Sequence, residues 1–134
     1  MGNNLWIQKH VAGGGLAPLD ESAMENIFGQ HAPQKRDGCW IVDLGNREGG
    51  ELYYDAGDSC AMFAHFGGPR LISLIFEFLK QTGTVAYWPD EAPCGAVADV
   101  RALATLPQDM VDMIRPVVVA CPEELERTIC GRPI

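Results

Sequence analysis

Between Gly67-Gly68-Pro69 and Gly83 the chain carries Leu71, Ile72, Leu74, Ile75, Phe76, Phe78 and Leu79. On a helix these apolar side chains cover most of the circumference, and only Arg70, Ser73, Glu77 and Lys80 remain for a narrow polar stripe. Pro69 suits the first helical position, where its missing N–H would have no partner anyway. Gly83 suits the left-handed residue that follows a helix end. A helix apolar nearly all round must be wrapped by other elements, so the rest of the chain is expected to fold around this one.

The flanking segments supply strands. Leu5 to Lys9 predicts a short first strand, followed by a flexible loop at Gly13-Gly14-Gly15. Asp20 or Ser22 caps a helix to about Phe28, with Met24, Ile27 and Phe28 inward. His31 to Gly38 reads as a polar loop. Cys39–Leu44, Leu52–Asp55 and Ser59–Phe66 follow as strands separated by short glycine turns, which makes antiparallel hairpins. After the central helix, Thr84–Trp88 and Gly95–Val100 predict a further hairpin. Pro107–Ile114 reads as a helix, Val117–Val119 as a buried strand, and Pro122–Ile129 as a last helix. The expected fold class is α+β: one domain, with a mixed, mainly antiparallel sheet, helices on one face and one largely buried central helix.

Size and charge narrow the function. With 134 residues, the chain has the length of one ordinary domain. Such a domain buries roughly two-thirds of its unfolded surface and needs no metal or disulfide to fold. Its formal net charge of −8 opposes binding to nucleic acid, where affinity depends on basic side chains that displace counterions. It opposes binding to an anionic membrane surface as well. The same charge would speed encounter with a basic protein. Cys39, Cys60, Cys94, Cys121 and Cys130 form no CxxC pair, and an odd count fits reduced thiols better than a disulfide framework. Met1 to Trp6 lacks the basic and apolar regions of a signal peptide, so a cytoplasmic location is expected.

The known catalytic and cofactor patterns are missing. The Gly13–Gly15 loop lacks the lysine of a phosphate loop. His10, His31 and His65 fit no metal-site spacing, so no metal or other cofactor is expected. Cys60 and His65 stand five apart on one predicted strand, which puts them on opposite faces and precludes a local dyad. No catalytic residue is assigned. One candidate site for small anions remains at the helix start, where Gly67, Gly68 and Arg70 combine free N–H groups with a positive charge. That reading requires a cleft there and an Arg70 free of internal partners.

The acidic, aromatic meander is the stronger candidate. Asp43, Glu48, Glu51, Asp55 and Asp58 surround a lone Arg47, with Tyr53 and Tyr54 among them on opposite strand faces. Trp88, Asp90 and Glu91 follow the central helix. Acids beside exposed aromatics suit a contact surface, because charge steers encounter and aromatic rings anchor it. The competing view is a solvated hairpin whose Tyr and Trp serve the core.

A small acidic α+β chain without a catalytic signature, with Gly83-Thr84-Val85-Ala86-Tyr87-Trp88-Pro89-Asp90 after its buried helix, resembles the bacterial immunity proteins that neutralise polymorphic or secreted toxins. The resemblance implies a non-enzymatic inhibitor that contacts a cognate toxin, a basic one where charge guides it. It assigns no residue a role. Two other readings stand beside it: a small enzyme or ligand-binding domain using the Gly67–Arg70 helix start, and an accessory subunit of a larger assembly. The oligomeric state is not legible.

Overall fold

The computed structural model describes residues 4–130. Those residues form eight strands and five α-helices. In chain order these are β1 (Asn4–Gln8), α1 (Glu21–Ile27), β2 (Gln34–Arg36), β3 (Cys39–Asp43), β4 (Gly49–Tyr53), β5 (Cys60–Gly67) and α2 (Pro69–Thr82). There follow β6 (Val85–Tyr87), β7 (Gly95–Val97), α3 (Val100–Leu103), α4 (Gln108–Ile114), β8 (Val117–Val118) and α5 (Pro122–Cys130). The strands make one sheet in the order β2-β3-β4-β5-β1-β6-β7-β8. Every pairing is antiparallel except β7 with β8. This is the expected α+β architecture. Among the described residues no helix is long and apolar enough to cross a membrane.

One side of the sheet is packed. Leu5 and Ile7 of β1, Phe63 of β5, Leu52 of β4 and Val42 of β3 are all buried. Phe28, at the end of α1, meets Phe63 edge-on at a centroid distance of 5.2 Å and Phe78 of α2 at 5.6 Å. Aromatic pairs of this kind add about 0.5–1.5 kcal/mol each beyond their burial. Helix α2 buries Leu71, Ile72, Ile75, Phe76, Phe78 and Leu79, and Leu125 and Ile129 of α5 join the same core. Gly83 ends α2 in the left-handed conformation, its N–H donating to the Leu79 carbonyl.

Other segments differ from the sequence reading for physical reasons. The triple glycine makes a closed turn: Val11 N–H donates to the Gly15 carbonyl at 2.8 Å, and Gly13 and Gly14 take positive φ. The polar segment before Gly38 contains β2, a three-residue charged edge strand with no apolar alternation to betray it. The strand expected over Gly95–Val100 stops at Val97, because Asp99 accepts from the Arg101 N–H at 2.8 Å and caps α3. Asp20, not Ser22, caps α1.

Strand β5 carries a bulge. Glu51 pairs with Ala64 but Gly49 pairs with Gly67, so β5 has one extra residue there. His65 takes up the excess at φ 49. The bulge turns His65 to the same face as Glu51, whose carboxylate it meets, and returns Phe66 to the packed side near Gly50. Strand parity alone had placed Cys60 and His65 on opposite faces. With the bulge they share a face, at opposite ends of the strand.

The start of α2 depends on Gly68, which has φ 103 and would drive a Cβ into the Glu48 side chain. Gly68→Ala is therefore expected to destabilise the protein by about 1–2 kcal/mol. A drop in the urea midpoint at unchanged slope checks it, and an unchanged midpoint would refute the constraint.

Candidate binding surface

The second face of the sheet carries no helix from β2 across to β1, whereas on β6 and β7 the same face is covered at Val85 and Val97, both buried. Cross-strand pairing places Gln34, Arg36, Cys39, Ile41, Glu51, Tyr53, Met62, Cys60, Trp6 and Tyr87 on it. Only at the far end does α4 reach this side, where the Ile114 side chain fills the space a Cβ on Gly95 would take. Trp6 and Tyr87 stack at 5.7 Å with an interplanar angle of 17°. Burial against its neighbours, with Cys60 close by, pushes the Tyr87 hydroxyl up to about 12. Tyr53 is 39% exposed and donates to Glu51 at 2.9 Å. His65 Nδ1 lies 3.4 Å from the same Glu51 oxygen. The Tyr53 hydrogen bond, followed by that of His65, holds the Glu51 carboxyl below its ordinary value. This face is a half-exposed row of aromatic and apolar groups with one fixed carboxylate among them.

The sequence-derived site residues divide. Glu51 and Tyr53 lie on this face. Asp43 sits exposed at the end of β3, where it accepts from the Gly45 N–H at 2.9 Å. Asp55 and Asp58 are exposed at the β4–β5 turn, with the Asp55 N–H donating to Asp58 at 2.9 Å. Strand pairing puts Asp43 and Glu48 at one end of the sheet and Asp55 and Asp58 at the other, so the meander acids are not one cluster. Asp90 and Glu91 are exposed in the loop after β6, which leaves the sheet at the Asp43 end. Trp88 is corrected outright: it is 3% exposed and belongs to the core, so it can anchor no partner.

Glu48 is spent inside the molecule. Its Oε1 accepts from the Arg70 backbone N–H at 2.8 Å and its Oε2 from Arg70 Nε at 3.0 Å. Arg70 Nη2 also donates to the Gly45 carbonyl at 3.1 Å. The α2 start, with Gly67, Gly68 and Arg70, thus already holds an anion, supplied by the chain itself. The condition for a small-anion site, an Arg70 free of internal partners, is not met. The sequence offered no local signal for this, because Glu48 stands 22 residues before Arg70 and reaches it only through the pairing of β4 with β5.

Sequence reasoning also missed the acids that join Asp55 and Asp58 in space. The Leu19 N–H donates to the Asp58 carbonyl at 2.8 Å, which brings Asp20 and Glu21 of the α1 start to that turn. Among the described residues no group of three or more His, Cys, Asp and Glu side chains is placed to hold a metal ion. All five cysteines are free thiols, and burial pushes Cys60 and Cys94 up. An α+β sheet with one helix-packed face and one largely bare face is the class this geometry defines. Neither protein-family models, nor curated proteins, nor solved structures give a match to the chain.

The backbone hydrogen bond from Arg70 is the main cause holding the Glu48 carboxyl below its ordinary 4.5. A depressed folded value means the contribution is complete above the unfolded value and is lost as pH falls through the folded one. Glu48→Gln should therefore lower the melting temperature at pH 7 and narrow the gap to wild type as pH drops below about 4.5. Melting curves across pH 3–7 check this. A gap that widens on acidification would contradict the assignment.

Proposed function

We propose that the protein is a non-enzymatic inhibitor, an immunity protein, which neutralises a cognate toxin by laying its bare sheet face against it. The observation that carries this is the face itself: Trp6 stacked on Tyr87, with Met62, Ile41 and Tyr53 in the same plane and no helix over them. Monomeric proteins seldom leave a contiguous aromatic and apolar face to water without use for it. Tyr and Trp at the centre of such a face are the residue types that dominate binding energy. The net charge of −8 favours a basic partner, with Glu51 fixed on the face to meet one of its cations.

A small-anion site at the α2 start has less support, because Glu48 occupies that position. A subunit role in a larger assembly would use the same face and differs only in what the partner does.

The test begins with affinity capture from the source cell at low and moderate salt. The captured protein is then expressed alone and together with this chain. Growth arrest by the partner alone, relieved by co-expression, is the expected result. The double variant Glu51→Lys/Tyr53→Ala should weaken the complex by about 2–4 kcal/mol and abolish rescue, while Asp90→Lys on the loop should change it little. A partner that is harmless alone, or full rescue by the double variant, would refute the proposal.

A further inference from the structure

The strand pairings join into one continuous row across the bare face. Arg36 pairs with Cys39, Cys39 with Tyr53, Tyr53 with Met62, Met62 with Trp6, and Trp6 with Tyr87. Directly paired residues of neighbouring strands share one side of the sheet, so these six side chains project from it together. With strands about 4.8 Å apart, the row is about 24 Å long. Tyr53 and Met62 stand at its middle. One end is a cation, and the other is the stacked Trp6–Tyr87 pair.

A row in this order is complementary to its own reverse. A two-fold axis along the strands, passing between Tyr53 and Met62, brings in a second copy with the row inverted. Arg36 then meets Tyr87, Cys39 meets Trp6, and Tyr53 meets Met62, and each contact occurs twice. A guanidinium over an aromatic face is favourable, and so is a thioether against a phenol ring. The neighbouring row fits the same operation. Glu51 pairs with Ala64 inside the chain, so the Glu51 carboxylate of one copy falls over the small Ala64 side chain of the other.

Charge points the same way. The row carries no acid, although the chain has a net charge of −8. Among the described residues Arg36 makes no ion pair, and it is exposed. A basic partner would meet Arg36 with like charge. A second copy answers it with an aromatic ring and gives its own aromatic pair a cation in return.

We propose that two copies of this chain pair through the bare face, with their sheets stacked and their helices outside. Two chains of net charge −8 repel each other, so the pairing is weak, is absent in dilute solution and is strengthened by salt, which screens the repulsion. A toxin on the same face has to displace the second copy. The pairing itself does not rest on the toxin reading.

Sedimentation equilibrium of the purified chain alone, from low micromolar to millimolar and at low and high salt, is the first test. Single chains at the dilute end, dimers at the concentrated end and more dimer at high salt are expected. A complex with a basic toxin responds to salt in the opposite sense, which separates the two readings. Arg36→Ala, at an exposed position, should weaken the dimer about tenfold, because two cation–π contacts are lost. Met62→Lys, beside the axis, should abolish it, while Glu21→Gln on the helix-packed side should change it little. Isotope-filtered NMR of mixed labelled and unlabelled chains then reads the geometry, with contacts expected from the Met62 methyl of one copy to the Tyr53 ring of the other. Single chains at every concentration, a dimer without these contacts, or one unaffected by Arg36→Ala would overturn the proposal and leave the toxin reading standing.

Discussion

The contact of Phe28 with Phe63 and Phe78 decides the layout of the molecule. It fastens the end of α1 and the middle of α2 to the inner face of β5 at 5.2 and 5.6 Å. With α2 apolar on most of its circumference, α1 and α5 must close round it on the same side, because a helix like this cannot face water. The chain's helical cover is thereby concentrated on one face. The other face, from β2 to β1 and the Tyr87 end of β6, is left with Trp6, Tyr87, Met62, Ile41 and Tyr53. An uncovered face is thus a consequence of how the core is built.

Two local devices keep that arrangement in register. Gly68 lets the chain turn from β5 into α2, and Glu48 reaches across to bind the Arg70 N–H and guanidinium. The carboxylate satisfies one helix N–H group that would otherwise lack a partner and complements the positive end of the helix dipole. The bulge at His65 then re-aims the last residues of β5, so that Phe66 returns to the core while His65 joins Glu51 and Tyr53 outside. A non-glycine residue at φ 49 costs on the order of 1 kcal/mol. The strain sits beside Glu51 and Tyr53, the residues proposed for partner contact, and functional sites are a common place for it.

Much of the fold was legible in the sequence because its elements carry strong local signals. Helix α2 announces itself by apolar density and by Pro69 and Gly83, and the β3–β5 meander by alternation between glycine turns. What was not legible depends on space. Strand β2 is charged and short, so only its pairing with β3 makes it a strand. Trp88 looked like a surface aromatic beside Pro89 and Asp90, yet the residue just after β6 is buried in the core. The acids of the meander looked like one group because they are close in sequence. An antiparallel hairpin sends alternate turns to opposite ends of the sheet, and it separated Asp43 and Glu48 from Asp55 and Asp58. No local pattern brings Asp20 and Glu21 of the α1 start to the turn that carries Asp58.

The central claim is that the bare sheet face is what the partner covers. Hydroxyl-radical footprinting of the free chain and of its complex tests this most directly, with oxidation read at Trp6, Met62, Tyr53 and Tyr87 and with buried Trp88 as the internal reference. Oxidation of the first four in the free chain, and their common protection in the complex, is the predicted result. Equal oxidation of these side chains with and without the partner would contradict it.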